Sequence, residues 1–220
     1  MTIELKKRIL TSLILISLLI IMYFYTFVMI ASIFVIAIIA WIEFYALISK
    51  ILKKNTFKNK FFLFLGKLLS LLYLSSLVLF ILVIESYYLD LKIYLLYSVL
   101  VAILSDIGGL VFGKTFKGRK LTKISPNKTI SGSIGSFIFS LILIPIFYLE
   151  LEKFNLLMIT LIIIVISLIS QLGDLFISYL KRKANVKDTS DILPGHGGLL
   201  DRIDGIIFAI PMGIFLFNSL

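Results

Sequence analysis

Long apolar runs separated by short polar segments fill most of this chain. The first run, 9–48, is about twice the roughly 20 residues that one helical span needs, so it predicts two helices that turn near 25–27. The other predicted spans follow in chain order at 61–84, 91–112, 130–149, 154–180 and 199–220. This pattern predicts an all-α fold, a polytopic integral membrane bundle of about seven transmembrane helices.

Basic residues are concentrated in every second connection between the predicted spans. They precede the first span at 6–8 and then occupy 50–60, 114–128 and 181–202. The intervening connections contain more acidic than basic residues: Glu85, Asp90 and Lys92 in one, and Glu150, Glu152 and Lys153 in the other. Because cytoplasmic loops carry an excess of Lys and Arg, this alternation predicts a cytoplasmic N-terminus. It also predicts that the loops 113–130 and 181–200 lie on one cytoplasmic face, where they can converge on one site.

The composition agrees with a membrane protein. The chain has 220 residues, is 60% hydrophobic and has a mean hydropathy of +1.10. A net charge of +10 would indicate nucleic acid in a soluble protein. Here the positive-inside bias explains that charge, and anionic lipids or nucleotides fit as partners better than nucleic acid. The chain has no cysteine, which excludes disulfides and thiol ligands, and its apolar start is interpreted as a retained span.

The segment 173–204 is an unusually dense group of polar and charged residues for such an apolar chain. If the sixth span continues as a helix, Asp174, Ser178 and Lys181 lie on one face. A carboxylate, a hydroxyl and an ammonium on one stripe suit a metal-bound phosphate, and Gly173 would let a second backbone approach. The alternative is that Asp174 only pairs with a neighbouring lysine. A charge in a membrane helix costs about 2.5–3.5 kcal/mol, which favours a functional role.

A glycine loop, 194–198, leads into Asp201 and Asp204. Glycines allow backbone N–H groups to face an anion, and the following helix N-terminus adds positive potential. His196 could bind phosphate, shuttle a proton or cap the loop, and a lone histidine argues against zinc. The alternative for the two aspartates is a favourable interaction with the helix dipole, which explains one of them better than both.

The second polar segment, 113–136, owes most of its basic residues to the cytoplasmic bias. Its more specific part is 125–129, Ser-Pro-Asn-Lys-Thr, which is followed by Gly132 and Gly135. A lysine and hydroxyl residues at the start of a glycine-containing helix suit phosphate, although the spacing differs from a Walker A loop.

Three further charged residues lie inside apolar runs. Asp106, in the fourth run, could face the same polar cavity as the two loops. Glu43 and Lys67 could pair with each other or extend toward the membrane surface, and no role is predicted for them.

The segment 173–204 closely resembles the signature of the CTP:phosphatidate cytidylyltransferase family, also called CDP-diglyceride synthases. The family pattern is Ser-x-x-Lys-Arg, four residues, Lys-Asp, a small residue, Pro-x-His-Gly-Gly and Asp-Arg-x-Asp. This chain matches it with Ser178, Lys181, Arg182, Lys187, Asp188, Ser190, Pro194, His196, Gly197, Gly198, Asp201, Arg202 and Asp204. Upstream, 125–129 is similar to the family's Ser-Pro-x-Lys-Thr element, and Asp106 stands where the family has an Asp.

The resemblance covers about residues 104–210, and the first hundred residues match only as generic membrane helices. Two positions depart from the family pattern. Ile130-Ser131 replaces Trp-Glu, so this chain lacks that acidic side chain. The glycine motif after Asp106 is altered to Ile107-Gly108-Gly109-Leu110.

The resemblance implies a nucleotidyltransferase of phospholipid biosynthesis that joins CTP and phosphatidate to give CDP-diacylglycerol and pyrophosphate. It implies Mg²⁺ with room for a second cation, held by Asp174 and Asp201, with Asp204 and Asp106 as further candidates. Lys181 and Asp188 complete the implied catalytic set. The implied substrate-binding residues are Ser125, Lys128, Thr129, Ser178, Arg182, Lys187, His196, Gly197, Gly198 and Arg202.

The same resemblance implies a bacterial inner-membrane protein with a cytoplasmic active site, and it leaves a homodimer open. Residues 1–90 would form generic N-terminal helices and 91–220 the catalytic region. One alternative is a related CTP-using lipid enzyme, either a polyprenol kinase or a CDP-archaeol-type synthase. Another is an ion-coupled transporter, which predicts inverted repeats that the sequence does not show.

Overall fold

A computed structural model describes residues 3–52, 56–122, 125, 128–147, 151 and 154–219. Helices make up the regular structure of these residues, and no β-strand occurs among them. Several residues that the predictions include lie outside the described part: Lys53, Lys54, Lys123, Pro126, Asn127, Leu149, Glu150, Glu152 and Leu220.

The helices follow the predicted apolar runs. They are α1 (Ile3–Phe24), α2 (Thr26–Ile51), α3 (Phe57–Tyr87), α4 (Lys92–Phe116), α5 (Ile130–Leu141), α6 (Leu143–Ile146), α7 (Leu156–Lys183), α8 (Leu200–Ile203) and α9 (Ile206–Ser219), with a 3₁₀ turn at Leu89–Leu91 before α4. The predicted turn within the first apolar run is confirmed, because only Tyr25, which has an extended backbone, separates α1 from α2.

In the described part of the chain, five helical stretches are long and apolar enough to cross a membrane. They are Leu5–Phe24, Thr26–Ile51, Phe57–Tyr87, Leu89–Phe116 and Leu156–Lys183. The predicted fold class, an all-α membrane helical bundle, is therefore confirmed.

The fifth and seventh predicted spans form shorter helices than the other five. The apolar stretch Ile130–Ile146 is interrupted after Leu141, where α5 gives way to α6. The seventh is divided between α8 and α9, and α9 has 14 residues. At 1.5 Å per residue α9 is about 21 Å long, against a hydrocarbon core of about 30 Å.

The chain divides into two compact units, and the first consists of Met1–Tyr87 and Leu180–Ile203. In this unit α2 packs against α1, α3 and α8. The buried stripe of α2 consists of Met29, Ile33, Ala40, Glu43 and Leu47. These positions are three, four or seven residues apart, as expected for one helix face. A glutamate therefore lies within an otherwise apolar buried stripe.

The second unit consists of Tyr88–Tyr179 and Asp204–Leu220, and its α4 packs against α5 and α9. A Cβ added to Gly132 would lie 2.8 Å from the carbonyl oxygen of Gly109. One added to Gly135 would lie 2.7 Å from the carbonyl oxygen of Gly108. Small residues allow two membrane helices to approach this closely. Helix packing thus explains the glycines that follow Thr129.

Candidate active site

The sixth predicted span continues as helix through Lys183, so α7 carries the predicted stripe of Asp174, Ser178 and Lys181. The Ser178 hydroxyl donates to Asp174 Oδ1 at 3.2 Å, as residues one turn apart on a helix can. Asp174 and Ser178 belong to the second compact unit, and Lys181 belongs to the first.

Asp174 forms an ion pair with Lys128, a residue of the Ser-Pro-Asn-Lys-Thr element. The ammonium contacts Oδ2, and the two side chains are 26% and 23% exposed for Lys128 and Asp174 respectively. The pairing of Asp174 with a lysine, which was the simpler alternative, is thus observed. The pair is also accessible, so an incoming phosphate could reach the lysine. Asp174, Ser178 and Lys128 are called the Asp174 cluster below.

A short turn before α5 holds Lys128 in place. The Leu121 N–H donates to the Lys128 carbonyl at 2.8 Å, and the Lys128 N–H donates to the Ser125 carbonyl at 3.0 Å. Thr129 is the N-cap of α5, because its hydroxyl oxygen accepts from the Gly132 N–H at 3.0 Å. Ser125 is buried. The contacts shown for Ser125 and Thr129 are thus local ones that hold the turn and start the helix.

Gly173 brings a second backbone close to α7, as its sequence context predicts. A Cβ at Gly173 would lie 2.7 Å from the carbonyl oxygen of Asp204. The Asp204 side chain is buried, and its Oδ1 accepts from the Gly205 N–H at 2.9 Å. Asp106 is exposed on α4. A metal-binding role for Asp204 and Asp106 stays a prediction.

Lys181 and Asp201 form a second, more deeply buried ion pair in the first unit. Lys181 Nζ lies 2.7 Å from Asp201 Oδ1, and the two side chains are 11% and 4% exposed. Asp201 Oδ2 accepts from the Thr189 N–H at 2.8 Å and the Gly198 N–H at 3.0 Å, and it also lies 3.0 Å from the Thr189 hydroxyl. These residues are called the Asp201 cluster below.

The pKa of Asp201 is set by two opposing effects. Burial favours the neutral carboxyl and would raise the pKa. The hydrogen bonds from Lys181, Thr189 and Gly198, with the Lys181 charge, favour the carboxylate and leave the pKa lowered overall. Asp201 is therefore ionised at neutral pH, and its charge is matched by Lys181.

Glu43 is the residue of this region that the sequence predictions missed. Its side chain is 2% exposed. It accepts hydrogen bonds from the hydroxyls of Thr189 and Ser190 and from the N–H groups of Leu199 and Leu200. Lys67, which the sequence analysis considered as a possible partner of Glu43, contacts aromatic rings: its Nζ lies 5.4 Å from the Trp41 ring centroid and 4.9 Å from the Tyr45 ring centroid. The only sequence signal for Glu43 was a carboxylate placed within an apolar helix.

Two glycines of the loop are required by these carboxylates. Gly197 has φ +84°, and a Cβ there would lie 3.0 Å from the Asp188 Cβ and 3.1 Å from Asp201 Oδ2. At Gly198 a Cβ would collide with the Thr189 hydroxyl and lie 2.8 and 2.9 Å from the two carboxylate oxygens of Glu43. Both glycines therefore leave room for the Asp201 and Glu43 carboxylates, and this role is separate from the predicted binding of phosphate.

Replacing Gly198 with alanine is expected to destabilise the loop, because the new methyl group must displace Thr189 and the Glu43 carboxylate. Overpacking of this kind costs about 1–3 kcal/mol. A thermal unfolding curve of the purified variant in detergent measures the loss. Gly66→Ala is the matched control, since its Cβ makes an ordinary 3.4 Å contact with Ile48. Equal melting temperatures for the two variants would contradict the described packing around Gly198.

His196 is held by α1. Its Nδ1 lies 2.6 Å from the Thr11 hydroxyl, and the same hydroxyl oxygen lies 3.1 Å from the Pro194 carbonyl oxygen. Arg202 Nη2 donates to the His196 carbonyl at 2.8 Å. Burial and the charges of Arg202 and Arg8 lower the pKa of His196, so the imidazole is uncharged at neutral pH. Of the three predicted alternatives, this geometry favours a loop cap.

The remaining predicted residues of the first unit are exposed. Arg182, Lys187 and Asp188 all lie on the surface of the 180–203 segment. Their side chains are therefore accessible to a charged substrate. Asp191, which matches no position of the family signature, is exposed as well.

The residues present fit Mg²⁺ only in one of its binding modes. Within the described ranges, no group of three or more His, Asp or Glu residues is arranged to hold a metal ion. Mg²⁺ usually binds through one or two carboxylates together with substrate phosphates. The partly exposed Asp174 fits this mode. Asp201 fits it less well, because Lys181 and three other donors occupy its oxygens.

Comparison with known proteins identifies a family and several relatives. A model of the cytidylyltransferase family matches residues 3–220. A phosphatidate cytidylyltransferase of Staphylococcus haemolyticus is 48% identical over 122 residues, which are 54% of this chain and 46% of that protein. One of Staphylococcus aureus is 47% identical over 133 residues, 57% of this chain and 50% of that protein.

A phosphatidate cytidylyltransferase of Rickettsia felis is 47% identical over 119 residues, which are 50% of this chain and 52% of that protein. The chain thus spans about half the length of the curated relatives it matches.

Proposed function

Because this chain belongs to the cytidylyltransferase family, we propose that it transfers the cytidylyl group of CTP to phosphatidate. The products are CDP-diacylglycerol and pyrophosphate. The observation that carries the proposal is the accessible ion pair between Lys128 and Asp174. The pair joins the 125–129 element to the 173–204 segment. Its lysine can bind a phosphate group, and its carboxylate can bind a hard metal ion.

The reaction needs charge neutralisation more than a strong base. The phosphatidate phosphate is already an anion at neutral pH, and one of its oxygens attacks the α-phosphorus of CTP in line. The bond between the α-phosphorus and the bridging oxygen breaks, and pyrophosphate leaves with that electron pair. The main obstacle is repulsion between the phosphate oxygens, which fixed positive charges relieve.

The Asp174 cluster can provide positive charge to the phosphates in two ways. Asp174 would hold Mg²⁺ together with phosphate oxygens, and the bound ion supplies positive charge for the phosphate groups. Lys128 is partly exposed and can exchange its contact with Asp174 for one with phosphate. Ser178, on the adjacent turn of α7, donates to Asp174 Oδ1 and orients the carboxylate.

In the first unit, the exposed Arg182 and Lys187 would bind phosphates. The Asp201 cluster keeps the segment that carries them in one conformation. We place the reaction on the cytoplasmic side of a bacterial inner membrane, as the positive-inside rule predicts. The acyl chains of the lipid can then stay in the bilayer while its phosphate reacts at the membrane surface.

The direct test is an assay of the purified full chain with CTP, phosphatidate and Mg²⁺. We expect CDP-diacylglycerol and pyrophosphate in equal amounts, detected by thin-layer chromatography and a pyrophosphatase-coupled phosphate assay. The control acceptors are a polyprenol, whose hydroxyl a CTP-dependent kinase would phosphorylate with release of CDP, and geranylgeranylglyceryl phosphate. Faster turnover with either control acceptor would assign the chain to a related CTP-using enzyme and refute the proposal.

Removal of divalent cations is expected to stop turnover, because the Asp174 carboxylate and the triphosphate are both negatively charged and bind each other only through a cation. The measurement is the initial rate after treatment with EDTA, followed by titration with MgCl₂. We expect the rate to recover with added Mg²⁺ and not with added NaCl of the same ionic strength. An unchanged rate in EDTA would show that the lysines and arginines suffice without a metal ion.

A further inference from the structure

We infer that Glu43, on α2, is a positioning residue for this reaction, and that it acts as a carboxylate on the segment 188–201. This inference deepens the proposed function and rests on it. Glu43 lies more than a hundred residues before the signature and was given no role by the sequence pattern. The argument for it comes from the contacts of its two oxygens within the first unit.

Each carboxylate oxygen of Glu43 accepts one hydroxyl and one backbone hydrogen bond. Oε1 accepts from the Ser190 hydroxyl at 2.5 Å and from the Leu199 N–H at 3.1 Å. Oε2 accepts from the Thr189 hydroxyl at 3.0 Å and from the Leu200 N–H at 2.7 Å. One side chain of α2 thus connects the residues after Asp188 with the residues before Asp201.

This arrangement requires a group that only accepts hydrogen bonds. A glutamine would turn its NH₂ group toward one backbone N–H in either orientation, the Leu199 N–H or the Leu200 N–H. Hydroxyls can rotate to accept instead, but a backbone N–H cannot. Glutamine therefore leaves one buried backbone donor without its acceptor, although it has nearly the same size and shape as glutamate.

Thr189 links Glu43 to the Asp201 cluster. Its hydroxyl lies 3.0 Å from Glu43 Oε2 and also 3.0 Å from Asp201 Oδ2. A hydroxyl has one proton, so it donates to one of these carboxylates at a time. The Thr189 N–H donates to Asp201 Oδ2 in addition. A change at Glu43 therefore changes how Asp201, and through it Lys181, is held.

The test compares three substitutions of Glu43 in the purified full chain. Glu43→Gln keeps size but loses the acceptor-only character, Glu43→Asp keeps that character but is shorter, and Glu43→Ala loses both. We expect kcat to fall about 10²-fold for Gln, since small misplacements of reacting groups have effects of this size. We expect a smaller loss for Asp, and the change in KM for CTP to be smaller than the change in kcat.

Glu85→Gln is the matched control. Glu85 is also a buried glutamate of the first unit, and it accepts a hydrogen bond from the Thr26 hydroxyl at 2.5 Å. We expect this variant to keep the parent rate. If Glu43 only fills space, Glu43→Gln will retain more activity than Glu43→Asp, and this order would overturn the inference.

Hydrogen exchange supplies a readout that does not depend on turnover. In Glu43→Gln we expect faster exchange at the amides of Leu199, Leu200 and Thr189, with unchanged exchange in α4. Unchanged exchange at all three amides would overturn the inference. If the parent chain makes no CDP-diacylglycerol, the proposed function fails, and the inference fails with it even where the exchange result is as expected.

If Glu43→Gln does not fold, Ser190→Ala and Thr189→Val test the same contacts from the other side. Each removes one hydroxyl donor to Glu43 and leaves the carboxylate in place. We expect both folded variants to lose turnover, with the larger loss for Thr189→Val, because Thr189 also contacts Asp201. Parent rates in both variants would overturn the inference.

Discussion

Replacing Asp174 with asparagine is expected to lower the rate of CDP-diacylglycerol formation by about 10²–10³-fold, since removal of a single group that stabilises transition-state charge has effects of this size. Asparagine preserves the shape of the side chain and can still accept the hydrogen bond from Ser178. It cannot match the charge of Lys128 or hold a divalent cation well. The measurement is the initial rate of the purified variant over a wide range of MgCl₂ concentrations.

Asp191→Asn is the matched control for this prediction. Asp191 is an exposed aspartate of the same polar stretch and matches no position of the signature. We expect Asp191→Asn to keep the parent rate and the parent dependence on Mg²⁺. If Asp174→Asn also keeps both, Asp174 has no part in binding the metal ion, and the ion pair with Lys128 is purely structural.

Replacing Lys181 with methionine is expected to cause the largest loss of stability among the substitutions considered. Asp201 is 4% exposed, and without Lys181 its charge has no cation among the partners shown. Removal of one member of a buried ion pair typically costs 3–5 kcal/mol. We expect a loss of about 3 kcal/mol, because Thr189 and Gly198 still donate to Asp201. Thermal unfolding in detergent measures this loss.

Lys183→Met is the control, because Lys183 is exposed in the same last turn of α7. The double variant Lys181→Met/Asp201→Asn removes both charges and is expected to be more stable than Lys181→Met alone. If Lys181→Met unfolds at the parent temperature and keeps the parent rate, Lys181 serves only membrane topology.

The apolar pattern was sufficient to predict the long helices and the turn at Tyr25, but it did not predict most of the helix ends. The third span was predicted at 61–84 and α3 is Phe57–Tyr87, while the sixth was predicted to end near 180 and α7 ends at Lys183. The long helices follow from the length of apolar sequence that a bilayer requires, which is the same for any membrane protein. The break between α8 and α9 was not predicted, since an apolar run does not reveal where two short helices are separated.

The polar residues of the site were predicted by type and spacing, but their partners were not. Lys128 was predicted to bind phosphate, and the structure pairs it with Asp174. Gly132 and Gly135 were associated with phosphate, and the structure uses them to bring α4 and α5 together. In both cases the decisive neighbour is distant in sequence, so spacing along the chain carries no information about it.

The amino-acid sequence by itself determined that this protein is an all-α membrane bundle, and it determined which short segments carry the polar groups. The length of the apolar runs indicates membrane helices directly, because each helical span needs about 20 apolar residues. Only the tertiary structure decided that Glu43 holds the segment 188–201, that Thr189 is shared between two carboxylates, and that Lys181 matches Asp201. These contacts join residues up to 157 positions apart, and they form only when packed helices bring distant donors and acceptors together and exclude water.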